Sequence, residues 1–551
     1  MPAARAPGPQ PEPVELLELR VLDGANRFST RPAVKIEFAG PAGEPEVSAR
    51  TAGAAVQRLH RALGMPAPRV TFRVSADSRR SVAAYPWRRR TISQAIAAAA
   101  VRIALGKSRD SRELRQLRAV ADGTRPDVPR PRIPVVAITG TNGKSTTTRL
   151  IAYVAGLAGR QVGMTNSDGI FVRGLLVEAG DWTGYGGAGR VLSEPALDLA
   201  VLETARGGIL LRGIGYAHND VAVVTNISPD HLGLQGIDTL DELAEVKAAV
   251  VRITRAAGWA VLNADDARVW DMRHHTHAHW YPFSLDPASP AVSEALSGGG
   301  RAAVLDAGWL VLRHAGRPPT RIARVEDVPV TVAGISRFNI SNALAAAAAC
   351  DALGFRPAQI RAGLHSFARD RSTNPGRLNL YQRDGRLALV DFAHNEAGLA
   401  GLLEVCRVLA GPRGRVRLAM GTAGDRADEI LRGMGRLAGA GVDDLAICEK
   451  AHYLRGRSRA EMNRLFRAGA REGGYRGVIK AFPGELTALQ ALVARSRRGD
   501  VATVMSHLER EEIFDWLAGE GFVPMEPDDL ARLVRPRNVK PRPRTPRLGP
   551  R

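Results

Sequence analysis

Residues 135–150, VVAITGTNGKSTTTRL, constrain the fold more than any other stretch of the chain. Four apolar residues, Val135 to Ile138, run into a glycine turn and then into a helix-compatible segment. The spacing predicts a buried parallel strand, a tight loop and a helix opening directly on that loop. Gly140 and Gly143, with Thr141 and Asn142 between them, allow the backbone to turn N–H groups toward a phosphate. Lys144 can then reach the β- and γ-phosphates, and the Ser145 hydroxyl can ligate Mg²⁺. Thr146 lies in the first turn of a helix whose positive end faces the anion. The full G-x-x-x-x-G-K-[ST] pattern would put its first glycine at position 138, where this chain has Ile138.

A chain of 551 residues is too long for one core, so three or four domains are expected. The formal net charge of +21 comes almost entirely from arginine, in a chain also rich in Ala, Gly and Pro. It is read as a solvated basic surface rather than a nucleic-acid site, although such a surface still draws anions such as ATP or a polyacidic acceptor. The arginine bias makes each lysine informative. Only Lys35, Lys107, Lys144, Lys247, Lys450, Lys480 and Lys540 occur, and a retained lysine can mark amine chemistry that guanidinium cannot perform. Cys350, Cys406 and Cys448 are odd in number and widely spaced, which argues against a disulfide framework or a zinc knuckle. The N-terminus has no apolar leader, and no run of about 18 apolar residues occurs, so a soluble cytoplasmic protein with no membrane partner is expected.

Composition and periodicity divide the chain. Residues 1–13 are Pro-rich and expected to be disordered. Residues 14–125 read as a small α+β module, with two strands around a turn in 16–38, another strand at 70–74, and helical spacing at 91–103 and 111–120. Residues 126–134 are a Pro-rich linker. From 135 to 370, strands alternate with helices in the pattern of a mostly parallel, doubly wound sheet: Val135–Thr139, 161–165, Leu199–Glu203, 221–226 and 259–262. A second α/β domain is expected at 371–533, with strands at 387–391, Val416–Met420, Asp444–Cys448 and 501–504. Residues 534–551 have the composition of a disordered basic tail.

Two further stretches carry chemistry. LAVLETARGG, residues 199–208, is a strand ending in an acid, and strand carboxyl ends face the ligand crevice of a doubly wound sheet. Glu203 is therefore placed beside the P-loop, where it can hold Mg²⁺ next to Ser145; a capping or salt-bridged glutamate is the alternative. VAVVTNISPDHLGLQGIDTLDELAEVK, residues 221–247, sets Asp230 and His231 just after a strand end and Lys247 one helix later. The apolar side of that helix, Leu243, Val246 and Val250, leaves Lys247 adjoining the crevice edge. A plain salt bridge from Lys247 to Glu245 or Asp241 stays open.

GTNGKST, the strand-end glutamate, N-x-x-x-D-H and the following lysine together resemble the central domain of the Mur ligase superfamily. The resemblance implies an α/β fold: a Mur-ligase-like P-loop central domain and a C-terminal Rossmann-like domain, here preceded by the small module. It implies ATP as a substrate and two Mg²⁺ ions, one on Ser145 and Glu203, the other on His231 and a carbamylated Lys247. LNADD resembles the family's adenine-side stretch, with Asn263 its contact, and GISRFNISNALAAAAA resembles the helix that closes the central domain, with Phe338 where the family often has His. PGR marks the hinge and sends Arg377 to the ATP phosphates. VDFAHNEAG resembles the family's VDYAHNP motif, which puts Asp391 on the ribose and His394 and Asn395 near the nucleotide, with Glu396 in place of Pro. GTAGDRADE resembles the loop that meets the incoming amino acid, with Asp425 and Arg426 its candidates.

Within the superfamily, MTNSDGIFV, LETARGGIL, TNISPDHLGLQGIDTLDELAEVK and PGRLNL are most similar to the Mur-ligase-like half of the cyanophycin synthetase family, whose first strands LRVLDGANRFSTRPAVKI also resemble. That family joins an N-terminal module, an ATP-grasp domain that adds Asp to a backbone, and a Mur-like domain that adds Arg to the Asp side chain. Here only the short linker separates module from P-loop, so the resemblance implies the Mur-type step alone. The expected activity is ADP-forming amide ligation: Lys144, His231 and Lys247 are catalytic, and the amine of an amino acid, arginine being one candidate, joins a carboxylate acceptor through an acyl phosphate. A poly-γ-glutamate or peptidoglycan-type ligase, or a non-catalytic nucleotide-binding partner of a separate ATP-grasp protein, are the alternatives. A homo-oligomer is left open.

Overall fold

The computed structural model describes residues 13–534. The expectations for the disordered N-terminus and the basic tail fall outside these residues, except at their inner ends. Pro13 is irregular, and Val534 is the buried last residue of the helix Pro527–Val534.

Three sheets organise the chain. The first is antiparallel and four-stranded, in the order Glu15–Leu22, Ala33–Ala39, Arg80–Pro86, Thr71–Val74. Helices Glu44–Ala62 and Arg90–Ala104 cover it, with Val34, Ile36 and Phe38 packed against Ala52, Val56, Leu59 and Ile96. The helix Glu44–Ala62 and the strand Arg80–Pro86 were not anticipated from sequence. Gly53 with Ala49, Ala52 and Ala55 thins the helix's buried stripe to small residues, so it lacks the run of large apolar side chains that makes a helical period visible. Residues 121–134 follow as irregular chain laid onto the second sheet, where the Pro134 carbonyl accepts from Ala200 N–H and that of Pro129 from Ala217 N–H.

The second sheet has eleven strands. Its parallel centre runs Arg301–Asp306, His279–Ser284, Thr254–Asn263, Asn219–Val224, Val135–Thr139, Leu199–Glu203, Val162–Asn166. Both edges turn antiparallel, with Trp309–His314 and Thr320–Arg324 on one side and Gly169–Val172 and Leu175–Ala179 on the other. The third sheet has seven strands, parallel through Lys480–Phe482, Asp444–Cys448, Val416–Met420, Val501–Met505 and Arg386–Asp391, then antiparallel to Asn379–Arg383 and Val523–Pro524.

One helix positions the site from within the core. Arg337–Ala352 is buried on every side from Asn342 to Asp351, as a run of alanines permits, and packs on the P-loop helix Lys144–Leu157. Its small side chains let the two helices approach closely and carry Asn342 to the P-loop. No helix among the described residues is long and apolar enough to cross a membrane.

Candidate active site

The strand Val135–Thr139 ends at the centre of the second sheet, and the helix beginning at Lys144 opens on the crevice there. Gly143 stands before it in the left-handed conformation, φ +84°, and a Cβ there would lie 2.2 Å from Asn342 Oδ1, so both backbone and space require glycine. No side chain caps the helix, which leaves its first-turn N–H groups available to an anion. Thr141 and Asn142 also line the cleft, but their backbone donors are engaged within the protein. Thr141 N–H donates to the Asn226 carbonyl (2.9 Å) and Asn142 N–H to Asn226 Oδ1 (3.0 Å), so these two donors shape the loop and are not free for phosphate.

The loop faces a cleft of about 870 Å³ between the second and third sheets. Lys144, Ser145, Thr146, Glu203, His231, Lys247, Arg377, Asp391, His394, Asp425 and Arg426 all line it, so residues up to 282 positions apart converge. Lys144 Nζ rests on the Thr141 carbonyl at 2.9 Å. Glu203 ends its strand buried; desolvation pushes its carboxyl up, and its Oε2 has no hydrogen-bond partner. An orphaned buried carboxylate oxygen beside the Ser145 hydroxyl suits a hard cation completed by phosphate and water.

Lys247 is 3 % exposed. Its Nζ donates to the Gly140 carbonyl at 2.7 Å, and burial, reinforced by the charge of Lys144, holds its pKa well below that of a free lysine. The alternative salt bridges are absent: Glu245 pairs with Arg27 and Arg73, and Asp241 with Arg268. A buried lysine whose pKa is lowered gives up its proton more readily than a free one, and carbamylation needs an unprotonated amine. His231 sits in left-handed backbone, φ +52°, with Nδ1 3.6 Å from Asp425 and Nε2 3.8 Å from Asp230.

The far wall comes from the third sheet. Arg377 lies over the Phe392 ring at 4.1 Å and approaches Ser145 Oγ at 3.4 Å. Asp391 accepts from Leu378 N–H (2.9 Å) and Ala393 N–H (2.8 Å), yet burial still pushes its pKa up to about 6. Asp230 ties the two walls together, 3.3 Å from Arg426 and 3.5 Å from His394. Asp425 holds Arg455 and His231, and these hydrogen bonds outweigh burial to keep its carboxyl below the ordinary range.

Two expected nucleotide contacts lie outside the cleft lining. Asn263 spends its side chain on the Thr225 carbonyl (2.7 Å) and Asp265 N–H (2.9 Å), bracing the neighbouring strand ends. Asn395 is fully buried; it caps the helix Glu396–Ala410 through Gly398 N–H and donates to Asn142 Oδ1 at 3.1 Å, joining the third sheet to the P-loop. Sequence reasoning also missed a cluster behind Ser145. Buried Arg149 pairs with Asp168, which in turn takes Arg510 from the third-sheet side at 2.9 Å. Arg149 stands in the opening stretch itself, a second charge directly after the hydroxyl run at 145–148, and that oddity was the available signal.

Comparison with known proteins covers the same two walls. A model of the Mur ligase middle domain matches residues 138–350, and one of the Mur ligase glutamate ligase domain matches 376–508. A cyanophycin synthetase of Trichormus variabilis is 42% identical over 352 residues, which cover 64% of this chain and 38% of the relative. A UDP-N-acetylmuramoyl-L-alanyl-D-glutamate–2,6-diaminopimelate ligase of Geobacter metallireducens is 31% identical over 327 residues, 57% of this chain and 59% of the relative. Among solved structures, FolC of E. coli in complex with DHPP and ADP superposes with a TM-score of 0.52 at 19% identity, over 71% of this chain and 90% of that one, a likeness of fold. The match thus spans well under half of the cyanophycin synthetase. The two family models fall in chain order on the two sheets that face each other, and the cleft is the seam between them: the chain belongs to the Mur ligase family.

Proposed function

We propose that this chain is an ATP-consuming, ADP-forming ligase that joins the amine of an amino acid to a carboxylate acceptor. The observation that carries the reading is the seam, where an uncapped P-loop helix, the orphaned Glu203 oxygen and the buried Lys247 meet Arg377 and Asp391 from the opposite sheet. The acceptor carboxylate attacks the γ-phosphorus and ADP leaves, giving an acyl phosphate. The amine, having lost a proton, attacks the carbonyl carbon, and inorganic phosphate leaves with its electron pair. Lys144 and Arg377 offset charge on the transferring phosphoryl group, and the helix N-terminus orients it. No protein nucleophile is required; holding the reactants in line does the work.

Two Mg²⁺ ions complete this reading. Ser145 and Glu203 would hold one, and His231 with a carbamate on Lys247 the other; bound there, they supply charge neutralisation on the phosphates. Asp425 and Arg426 stand where the incoming amino acid would meet the third sheet, one to receive its ammonium and the other its carboxylate. Similarity to cyanophycin synthetase makes arginine the first amine to test, with a peptide bearing free side-chain carboxylates as acceptor.

The test is phosphate release by the purified chain, screened with the twenty amino acids against acidic peptides. The expected result is turnover that needs both an amine and an acceptor. ATP hydrolysis indifferent to either, or binding without turnover across the full screen, would overturn the ligase assignment in favour of a nucleotide-binding role.

A further inference from the structure

We infer that the four-stranded N-terminal module is a brace for the half of the cleft that carries His231 and Lys247, with Arg27 its principal positioning residue. The inference rests on the ligase reading only for the meaning of its kinetic readout.

The loop 23–31 leaves the first sheet and lies on the helices of the second. Arg27, only 7 % exposed, donates from Nε to Glu245 Oε2 at 2.7 Å and from Nη2 to Glu242 Oε1 at 3.2 Å. Arg73 takes the other Glu245 oxygen at 2.7 Å. Glu242 and Glu245 stand on the helix Leu240–Arg252, three residues apart and so on one face. Lys247, two residues beyond Glu245, is about 200° around the same helix. It points the opposite way, to the Gly140 carbonyl. The helix is therefore clamped between module and P-loop. At its far end Arg252 donates to the carbonyls of Asn26 and Arg27, both at 3.0 Å.

The loop before the helix is held from the same side. Arg80 of the module pairs with Asp238, while Arg206, at the start of the short helix Arg206–Leu211, donates to the carbonyls of His231 (2.6 Å) and Leu234 (3.0 Å). His231 and Gln235 both occupy left-handed backbone, φ +52° and +57°, which β-carbon-bearing residues keep only where their surroundings over-determine it. The docking is close: Ile214 N–H donates to the Ala25 carbonyl at 2.7 Å, and a Cβ on Gly24 would lie 1.8 Å from the Ile214 oxygen.

The same face does not receive substrate. The void between module and second sheet, lined by Arg27, Lys35, Glu37 and Gln235, holds about 20 Å³, room for one water and no more. A surface used up in ion pairs and close backbone contact positions its neighbour rather than binding a ligand.

The test compares full-length Arg27→Ala, Arg27→Lys and Arg80→Ala with the parent by amide hydrogen exchange and by kcat and KM for ATP. In Arg27→Ala, exchange across residues 229–251 should quicken at least about tenfold while residues 135–150 stay protected. The kcat should fall about tenfold or more with KM for ATP within about twofold, and Arg27→Lys should recover part of both. Arg80→Ala should quicken exchange around 231–239 alone, and it keeps the test open if Arg27→Ala does not fold. Unchanged exchange at 229–251, a uniform rise across the whole chain, or full kcat alongside faster exchange would each overturn the brace. The exchange pattern needs no turnover, so a chain inactive with every substrate but showing this pattern would keep the brace and retire only the ligase reading.

Discussion

Asp230 joins the two walls of the cleft, and Asp230→Asn measures how far closure depends on it. The carboxylate leaves the second sheet just past a strand end and meets two groups of the third, Arg426 at 3.3 Å and His394 at 3.5 Å. Burial alone would raise its pKa, but the His394 hydrogen bond and the charges of His394, His231 and Arg426 hold it far below the ordinary aspartate value. Arg426 is 3 % exposed and cannot turn to water. Removing one partner of a buried pair costs about 3–5 kcal/mol; Arg426 keeps a second carboxylate, Asp425, at 3.5 Å, so the lower end, about 3 kcal/mol, applies. Because both contacts cross the seam, most of that loss should appear as opening, a shift of roughly 150-fold between closed and open forms. Small-angle X-ray scattering at pH 7 should show a larger radius of gyration for the variant, and calorimetry should show earlier loss of the third-sheet transition. The pH dependence gives a second check. A depressed carboxylate stabilises above its ordinary value near 3.8 and loses that stabilisation as pH falls toward its folded value, by about 1.4 kcal/mol per unit. The parent should therefore converge on the variant in acid. Identical scattering and stability at pH 7, or a gap that widens on acidification, would refute the argument.

Lys144→Ala should lower turnover at least about a hundredfold, because charge stabilisation of the phosphoryl group is lost, while the melting temperature moves little for a side chain facing an open cleft. Lys247→Ala should lose activity and regain part of it with added short-chain carboxylates; Lys247→Arg should stay inactive, and if it retained most activity the residue would be serving only as a positive charge. Lys450→Met should cost about 3 kcal/mol in urea unfolding, because it strands Glu485, whose only buried cation is Lys450 among the charges that touch it; an unchanged midpoint would show that the backbone donors of 507–509 suffice.

The sequence made the second sheet's centre legible because its signals are local. An apolar run, a glycine turn and a strand-end acid stand within a few residues of one another, so Val135–Thr139, Leu199–Glu203 and the residues that follow them could be placed before any coordinates. The edges were less legible. Leu175–Ala179 exposes Leu175, Leu176 and Val177 and so lacks the buried run that marks a parallel strand, while Trp309–His314 buries only Leu310, Val311 and Leu312, a run too short to stand out. The seam was partly illegible for a different reason. Asn395 reaching Asn142, or Arg510 reaching Asp168, joins positions hundreds of residues apart. Such pairs obey no periodicity, and a local pattern such as HNEAG can suggest a ligand contact where the structure builds a domain contact instead. Asn263 fell to the same ambiguity: an asparagine at a strand end can meet a ligand or tie two strand ends, and here it does the second.

The lysines carry the argument one step further than the sequence took it. In a chain that uses arginine nearly everywhere, four of the six lysines among the described residues aim a compact ammonium at carbonyl or carboxylate oxygens. Lys144 bends back onto the Thr141 carbonyl at the mouth of the P-loop, and Lys247 sits against the Gly140 carbonyl below it. Lys35 is wedged between Glu18 and Glu37 on adjacent strands of the module. Lys450 lies buried between Glu485 and the Met505 carbonyl. Glu485 in turn receives the N–H groups of His507, Leu508 and Glu509, so this pair fixes the loop that delivers His507 to the cleft. Only Lys107 and Lys480 are simply exposed. A guanidinium needs room for several in-plane donors, whereas an ammonium makes two or three short bonds within a sphere. Two of these four lysines line the cleft and two stand in the framework, so retention alone reports directional contacts of a cation. What separates the cleft pair is their position: Lys144 and Lys247 line the cleft and, among the described residues, face no carboxylate at hydrogen-bond distance, whereas Lys35 and Lys450 each close on a glutamate.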